Sequence, residues 1–366
     1  MIFRLAFTLV PFAFAGLLWP VFVRKCAKSR KARAAWMAAI LACAAKFAGF
    51  KVFGGDAFAP DMPEFAIWAW DCAYSAMCIL LALSIAFFWL KARLKTLLLP
   101  LLAAAVAAWG VWNGIKPPEV RTVEIVCRNL PKELDGYKIV QITDLHASSA
   151  ARRWRTEATV SLANSLGADL AVVTGDIVDG KAEDRAPDVE PLRGLKARDG
   201  VLFCTGNHEY YMDRAGWKKL YSQWGFKFLE NAWTSPRKGI VVGGVPDPAA
   251  FITGEEAPYA ADAFAAAPDG AFRILLQHRP VVKTADGVEQ PKCDLQLSGH
   301  THGGIAPGID AVVALANGGM VRGLYDRAGG GKTYVSAGSG QWAGFPTRFF
   351  NDPELTLITL RAADGR

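Results

Sequence analysis

Gly299-His300-Thr301-His302-Gly303-Gly304 directly follows a short apolar run at 294–298, and that placement decides how the rest of the chain is read. A glycine-rich turn at the carboxyl end of a strand is where α/β sheets collect their chemistry. Working outward, the arrangement recurs upstream. Thr143-Asp144-Leu145-His146 closes a run at 137–143, Thr174-Gly175-Asp176 one at 169–174, and Gly206-Asn207-His208-Glu209 one at 201–205, while His278 follows 272–277. The chain has five histidines, and all five stand at such strand ends. Neutral imidazole, carboxylate and amide oxygen are ligands of borderline divalent metals, and two Asp, one Asn and four His suffice for two ions sharing one carboxylate. A shared carboxylate holds two ions about 3.5–4 Å apart, a spacing that clamps the attacking and leaving oxygens of a phosphoryl centre. One such residue alone reads more readily as a cap or a satisfied core group; all five histidines together do not.

The runs around these motifs set the fold. Short β-rich stretches at 137–143, 169–174, 201–205, 239–245, 272–277, 294–298, 333–337 and 355–360 each end in a polar or glycine-containing turn, and helical patterns at 155–166 and 217–224 separate the early ones. Strand and helix alternate first and strands dominate later, which predicts an α/β domain of two packed mixed β-sheets flanked by helices. The Ala-rich stretch 249–269, with Phe251, Tyr259 and Phe264, is a candidate lid.

The N-terminal third is different in kind. The 366 residues are 52% apolar and 20% charged, with a mean hydropathy of +0.18, which excludes disordered and fibrous classes and exceeds an ordinary soluble enzyme. Residues 1–116 hold 13 Lys/Arg and 4 Asp/Glu, a net +9, leaving 28 and 30, a net −2, for 117–366. The basic charge therefore belongs to the apolar third, and the rest has no field suited to a nucleic-acid polymer. Apolar segments at 5–23, 34–53, 65–90 and 96–115 are each long enough to cross a bilayer, predicting a four-helix transmembrane domain over 1–116 and a second domain over 117–366. The first connecting loop, 24–33, carries six Lys/Arg and the third has Lys91, Arg93 and Lys95, whereas the second has Asp56, Asp61 and Glu64. Bases are retained on the cytoplasmic side, so four spans place the second domain outside the cytoplasm. Lys46 and Asp71 fall at a similar depth, about 10 Å inside the outer ends of their helices, and are expected to pair. The seven cysteines show no Cys-x-x-Cys spacing, and Cys127, Cys204 and Cys293 read as buried thiols.

The five motif blocks, in order across 144–302, resemble the calcineurin-like metallophosphoesterase superfamily, whose series is Asp-x-His, Gly-Asp, Gly-Asn-His-Asp/Glu, His and Gly-His-x-His. Residues 206–211 with Trp217 following, and 349–355, resemble its bacterial membrane-anchored branch, which carries helices before the phosphoesterase domain. The resemblance implies the metallophosphoesterase fold and two divalent ions, Mn favoured over Fe or Zn. Asp144, His146 and His302 would hold one ion, Asn207, His278 and His300 the other, and Asp176 would bridge them. His208 would be catalytic without being a ligand, standing over the phosphate while metal-bound hydroxide attacks phosphorus in line. Ile305 departs from relatives that place a polar residue after Gly-His-x-His-Gly-Gly. The reading is a phosphoester hydrolase in a bacterial inner or cell membrane, with its catalytic domain extracytoplasmic, acting on a membrane-proximal or lipid-linked phosphoester. The alternatives are a lipid pyrophosphatase resembling the UDP-diacylglucosamine hydrolases, which needs the opposite topology, and a transport or regulatory protein with a metal-binding domain.

Overall fold

The computed structural model describes residues 2–259, 262–281, 292–327 and 330–363. It separates into two compact units, Met1–Ile115 with Trp342–Arg348, and Lys116–Gln341 with Phe349–Arg366. In the first unit, Ile2–Leu18 continues through a π-helical turn, Trp19–Val23, into Arg24–Cys26. Pro20 sits in that turn, where its missing N–H interrupts the α-helical ladder and a wider turn accommodates the gap. Thr8–Cys26, Glu64–Ala86 and Ala92–Ile115 are long and apolar enough to cross a membrane. The expected second span is broken: Arg30–Ala44 and Lys46–Val52 meet at a bend of 61° and count as a fourth span only if the bent pair is one. The expected third helix stops at Ala86 instead of 90, and the fourth begins a turn early, at Ala92.

The break falls at Ala45, directly before Lys46. Its fully buried ammonium donates to the fully buried carboxylate of Asp71 and, at 2.8 Å, to the carbonyl of Gly344. Asp71 also accepts from the Thr347 hydroxyl, and the Lys46 nitrogen lies 4.8 and 4.9 Å from the ring centroids of Phe47 and Tyr74. Residues 342–348, which the sequence places in the second domain, therefore cluster with the helices. A buried ion pair with unused donor and acceptor capacity is stable only when further polar groups complete it, and this segment supplies them. Lys46→Met or Asp71→Asn is expected to cost about 3–5 kcal/mol, since each leaves its partner charged and unpaired in an apolar interior. Exchanging the two should recover only part of the loss, because Asp at 46 cannot donate to Gly344 and Lys at 71 cannot accept from Thr347. Thermal unfolding of the four proteins in detergent checks this, and additive losses would mean that the two charges act separately.

The second unit is two six-stranded sheets. The first has the order β1-β12-β2-β3-β4-β5 and the second β10-β11-β9-β8-β7-β6. Strands β1 to β6 are Glu119–Cys127, Lys138–Ile142, Leu170–Thr174, Val201–Cys204, Lys227–Phe228 and Ala232–Arg237. Strands β7 to β12 are Ile240–Gly244, Phe272–Leu276, Leu295–Ser298, Gly323–Asp326, Lys332–Val335 and Glu354–Ala362. Both sheets are mixed. Strands β2 to β5 run parallel with β12 antiparallel beside β2, and β7, β8, β9 and β11 run parallel with antiparallel β6 and β10 at the edges.

Alternation along the strands builds the layers. Ile139, Leu170, Val172 and Leu202 of the first sheet share one core with Val242, Ile274, Leu276 and Leu297 of the second. The opposite face of the first sheet, Val140, Ile142, Ala171, Val173 and Phe203, packs with Val160 and Ala163 of helix Arg153–Ser165 and with Trp217 and Tyr221 of helix Arg214–Gln223. Cys127, Cys204 and Cys293 are buried free thiols. The candidate lid is not a separate flap in its described part. Ala249 and Ala250 pack with Tyr210, Ala263 and Phe264 join the outer cluster of the second sheet, and Ala257 and Ala265 carbonyls accept from Asn231 and Trp233. Small side chains allow this close packing; residues 260 and 261 lie outside the described residues.

Candidate metal centre

The turns after β2, β3, β4, β8 and β9 converge, so the first sheet contributes Asp144, His146, Asp176, Asn207 and His208, and the second His278, His300 and His302. The sheets are tied at this end: Gln141 Nε2 donates to the Ser298 carbonyl at 3.0 Å, and His278 Nδ1 lies 2.8 Å from the Thr174 carbonyl. Asp144, His146, Asp176, His300 and His302 all have positive φ, at 51°, 46°, 51°, 70° and 48°. Each such non-glycine residue costs on the order of 1 kcal/mol, so surrounding contacts must hold the turns. Glu209 provides several: its buried carboxylate accepts from the backbone N–H of Asp176, Ile177 and Gly206 at 2.9, 2.7 and 2.6 Å. Two glycines are required by close approach. A Cβ on Gly206 would strike the Asp176 carboxylate, and one on Gly299 would strike Thr143 Oγ1 and Asp144 Oδ2.

Among the described residues the ligand-type atoms form three groups. Asp144, His146 and His302 lie together, as do Asp176, His278 and His300, and as do His146, Asp179 and His208, with the atoms of each group within 4.8 Å of one another. His146 Nε2 is 3.3 Å from His302 Nε2 and 3.6 Å from Asp176 Oδ2. Asp176 Oδ2 is also 3.2 Å from His278 Nε2, while its Oδ1 accepts from the His208 N–H at 2.8 Å.

The donor set fits divalent ions. A carboxylate can only accept, so Asp179 Oδ1, 2.9 Å from His146 Nδ1 and 2.6 Å from His208 Nδ1, fixes hydrogen on both Nδ1 atoms. In the same way the Thr174 carbonyl fixes hydrogen on His278 Nδ1. His146 and His278 thus each present Nε2, the arrangement by which an outer partner orients a metal-binding imidazole. His278 Nε2 and Asn207 Oδ1 are buried without an aligned hydrogen-bond partner. Buried polar atoms are rarely left so, and two of them together at a carboxylate cluster suit a cation.

The electrostatics agree. Burial works against charge on Asp176, yet His278 and His208 hold its carboxyl well below the usual range. Burial likewise opposes protonated His278 and His208, but Asp176, joined at His208 by Asp179, keeps them up at about 10 and about 9. His300 goes the other way, pushed well down by burial and by His278. Without ions the protons on the imidazoles neutralise the carboxylates, so an ion binding at His278 displaces a proton and binding strengthens as pH rises.

Sequence reasoning assigned no role to Asp179 or Glu209. A signal for Asp179 was present, a second carboxylate three residues beyond Asp176 in the same turn, but its contact with two histidines depends on how three turns meet. Arg155 was also missed; this buried guanidinium donates from Nη2 to the Leu145 carbonyl at 2.5 Å and to that of His146 at 3.3 Å, bracing the first turn.

The calcineurin-like phosphoesterase family matches residues 137–304. An uncharacterised metallophosphoesterase of Bacillus subtilis, YkuE, is 30% identical over 288 residues, covering 74% of this chain and 97% of the relative. Two proteins named transmembrane protein with metallophosphoesterase domain are also similar. The Danio rerio one is 31% identical over 281 residues, 74% of this chain and 63% of its own, and the Bos taurus one 32% identical over 286, 75% and 64%. The chain belongs to the calcineurin-like metallophosphoesterase family, and its apolar helices mark it as a membrane protein. It spans a little under two thirds of the length of the two vertebrate relatives.

Proposed function

We propose that this protein is a two-metal phosphoester hydrolase held at a membrane by its N-terminal helices, acting on a membrane-proximal or lipid-linked phosphoester. Asp144, His146 and His302 would hold one ion and Asn207, His278 and His300 the other, with Asp176 shared. The observation that carries the reading is the set of Nε2 atoms presented by imidazoles whose Nδ1 hydrogens are tied to Asp179 and Thr174. Two divalent ions in such a site polarise phosphoryl oxygens and activate the attacking water, and manganese is the favoured pair over iron or zinc. The protein's own parts are then distinct. Asp179 orients His208, and His208, its Nδ1 hydrogen held by that carboxylate, gives a proton to the leaving oxygen. Purified protein stripped of metal and reloaded with manganese should hydrolyse nitrophenyl phosphomonoesters or diesters only when loaded. No turnover in any loaded form would end the hydrolase reading.

The loop charges support an extracytoplasmic catalytic domain, provided that Arg30–Ala44 and Lys46–Val52 together make one crossing. A reporter fused after Lys116 should therefore read as extracytoplasmic. A cytoplasmic reading would make the bent pair a re-entrant loop and move the lipid-pyrophosphatase alternative ahead.

A further inference from the structure

Seven residues after His302 begins the helix Ile309–Ala316, whose one ionisable side chain, Asp310, is used at its start, accepting from the backbone N–H of Gly308 and Ala311 at 2.8 and 2.9 Å. None of its eight residues is buried. Ile309, Val312 and Leu315, spaced three apart and so neighbours along the helix, are 44%, 65% and 86% exposed. An eight-residue helix with seven apolar side chains and little packing lies below the length at which a helix holds in water, so this one needs an apolar surface against it.

The excursion carrying the helix is rooted at the candidate metal centre. Thr301 Oγ1 donates to the Val321 carbonyl at 2.5 Å, and the Phe349 N–H donates to the Ile305 carbonyl at 2.8 Å. Asn351 Nδ2 donates to the His302 carbonyl at 2.5 Å, and Arg322 Nη1 donates to Asn351 Oδ1 at 2.7 Å. Ile305, the residue that departs from the family pattern, makes the turn into it at a φ of 62°, costly for a β-branched side chain. Between the two anchoring residues stands Phe350, 73% exposed. Phe349 directly follows Arg348, the last residue of the segment that clusters with the membrane helices, so this base is continuous in the chain with the membrane unit.

We infer that Ile309, Val312, Leu315 and Phe350 form an interfacial surface that seats in the acyl–headgroup boundary of a bilayer and brings the phosphoester of a membrane lipid to the metal centre. The inference rests on the hydrolase reading and names its substrate class. A short apolar helix with little charge, in a chain that carries its own membrane spans, has the bilayer as a large apolar phase available to it. Arg322, bonded to Asn351 at the root, supplies the positive charge that an anionic headgroup would meet.

The test uses the full chain, manganese-loaded, in phosphatidylcholine nanodiscs doped with phosphatidic acid or phosphatidylglycerol. A nitroxide on Leu315→Cys, with the signal of identically treated unsubstituted protein subtracted, should be more accessible to oxygen than to a water-soluble nickel chelate. Val312→Glu with Leu315→Glu should lower turnover of the doped lipid ~10-fold or more, chiefly through KM. The same variant should leave hydrolysis of a soluble nitrophenyl ester in detergent unchanged, which also shows that it folds. A label read in water, whether free or immobilised against a second copy, overturns the interfacial surface. A label in the acyl region with neither doped lipid hydrolysed, while the soluble ester is, overturns the lipid substrate and leaves the seat standing. Loss of soluble-ester turnover in the unsubstituted protein is the separate failure of the hydrolase reading.

Discussion

Asp176→Ala protein is expected to purify with both ions depleted and with turnover lowered by more than ~10²-fold, the upper loss for removing only an outer partner of a ligand. The residue is central three times over. Its Oδ2 lies 3.6 Å from His146 Nε2 and 3.2 Å from His278 Nε2, one imidazole from each of two ligand-type groups, and its Oδ1 accepts the His208 N–H. Removing the carboxylate also removes the charge that keeps His278 and His208 protonated in the ion-free protein. Metal content by elemental analysis, turnover on a soluble ester and a thermal melt on the same preparation decide the matter. A protein that keeps both ions and loses only rate would show that Asp176 is not shared between them.

His208→Ala is expected to do the reverse, keeping near-normal metal while turnover falls by roughly 10²–10⁴, the range for losing a positioned acid or base. Its ring Nδ1 is held by Asp179 and its backbone N–H by Asp176, so ring and main chain are each anchored by a carboxylate. The loss should be smaller for a nitrophenolate leaving group, which departs without a proton, than for an alkoxide. Asp179→Asn should impair both functions, because the same oxygen orients His146 and His208. Should His208→Ala lack an ion, or lose rate equally on both substrates, His208 would be a ligand or a phosphate-binding group instead of an acid.

The strands that sequence reasoning found and those it missed divide by position in the sheets. Strands β2, β3, β4, β7, β8, β9, β11 and β12 are interior, and each reads as an apolar run because both of its faces are covered. The four missed, β1, β5, β6 and β10, are the four sheet edges. Glu119–Cys127 has Glu119, Arg121, Thr122 and Glu124 among its apolar residues with most of its length exposed, Ala232–Arg237 contains Pro236, Lys227–Phe228 is two residues long, and Gly323–Asp326 is half exposed. Edge strands carry polar and proline residues that discourage further pairing, which erases the pattern by which strands are recognised.

By itself the sequence determined the two-part organisation, the interior strands and the histidines and carboxylates standing at their ends. Those features are local, set by hydropathy along one segment and by residue type in one turn. Only the tertiary structure decided that Asp179 serves two histidines, that Glu209 pins two turns, and that 342–348 completes the buried pair of Lys46 and Asp71. Each depends on segments far apart in the chain meeting within hydrogen-bond distance. The exposure of Ile309, Val312 and Leu315 belongs with them, since the apolar composition of their helix reads as core until the fold leaves these three side chains uncovered.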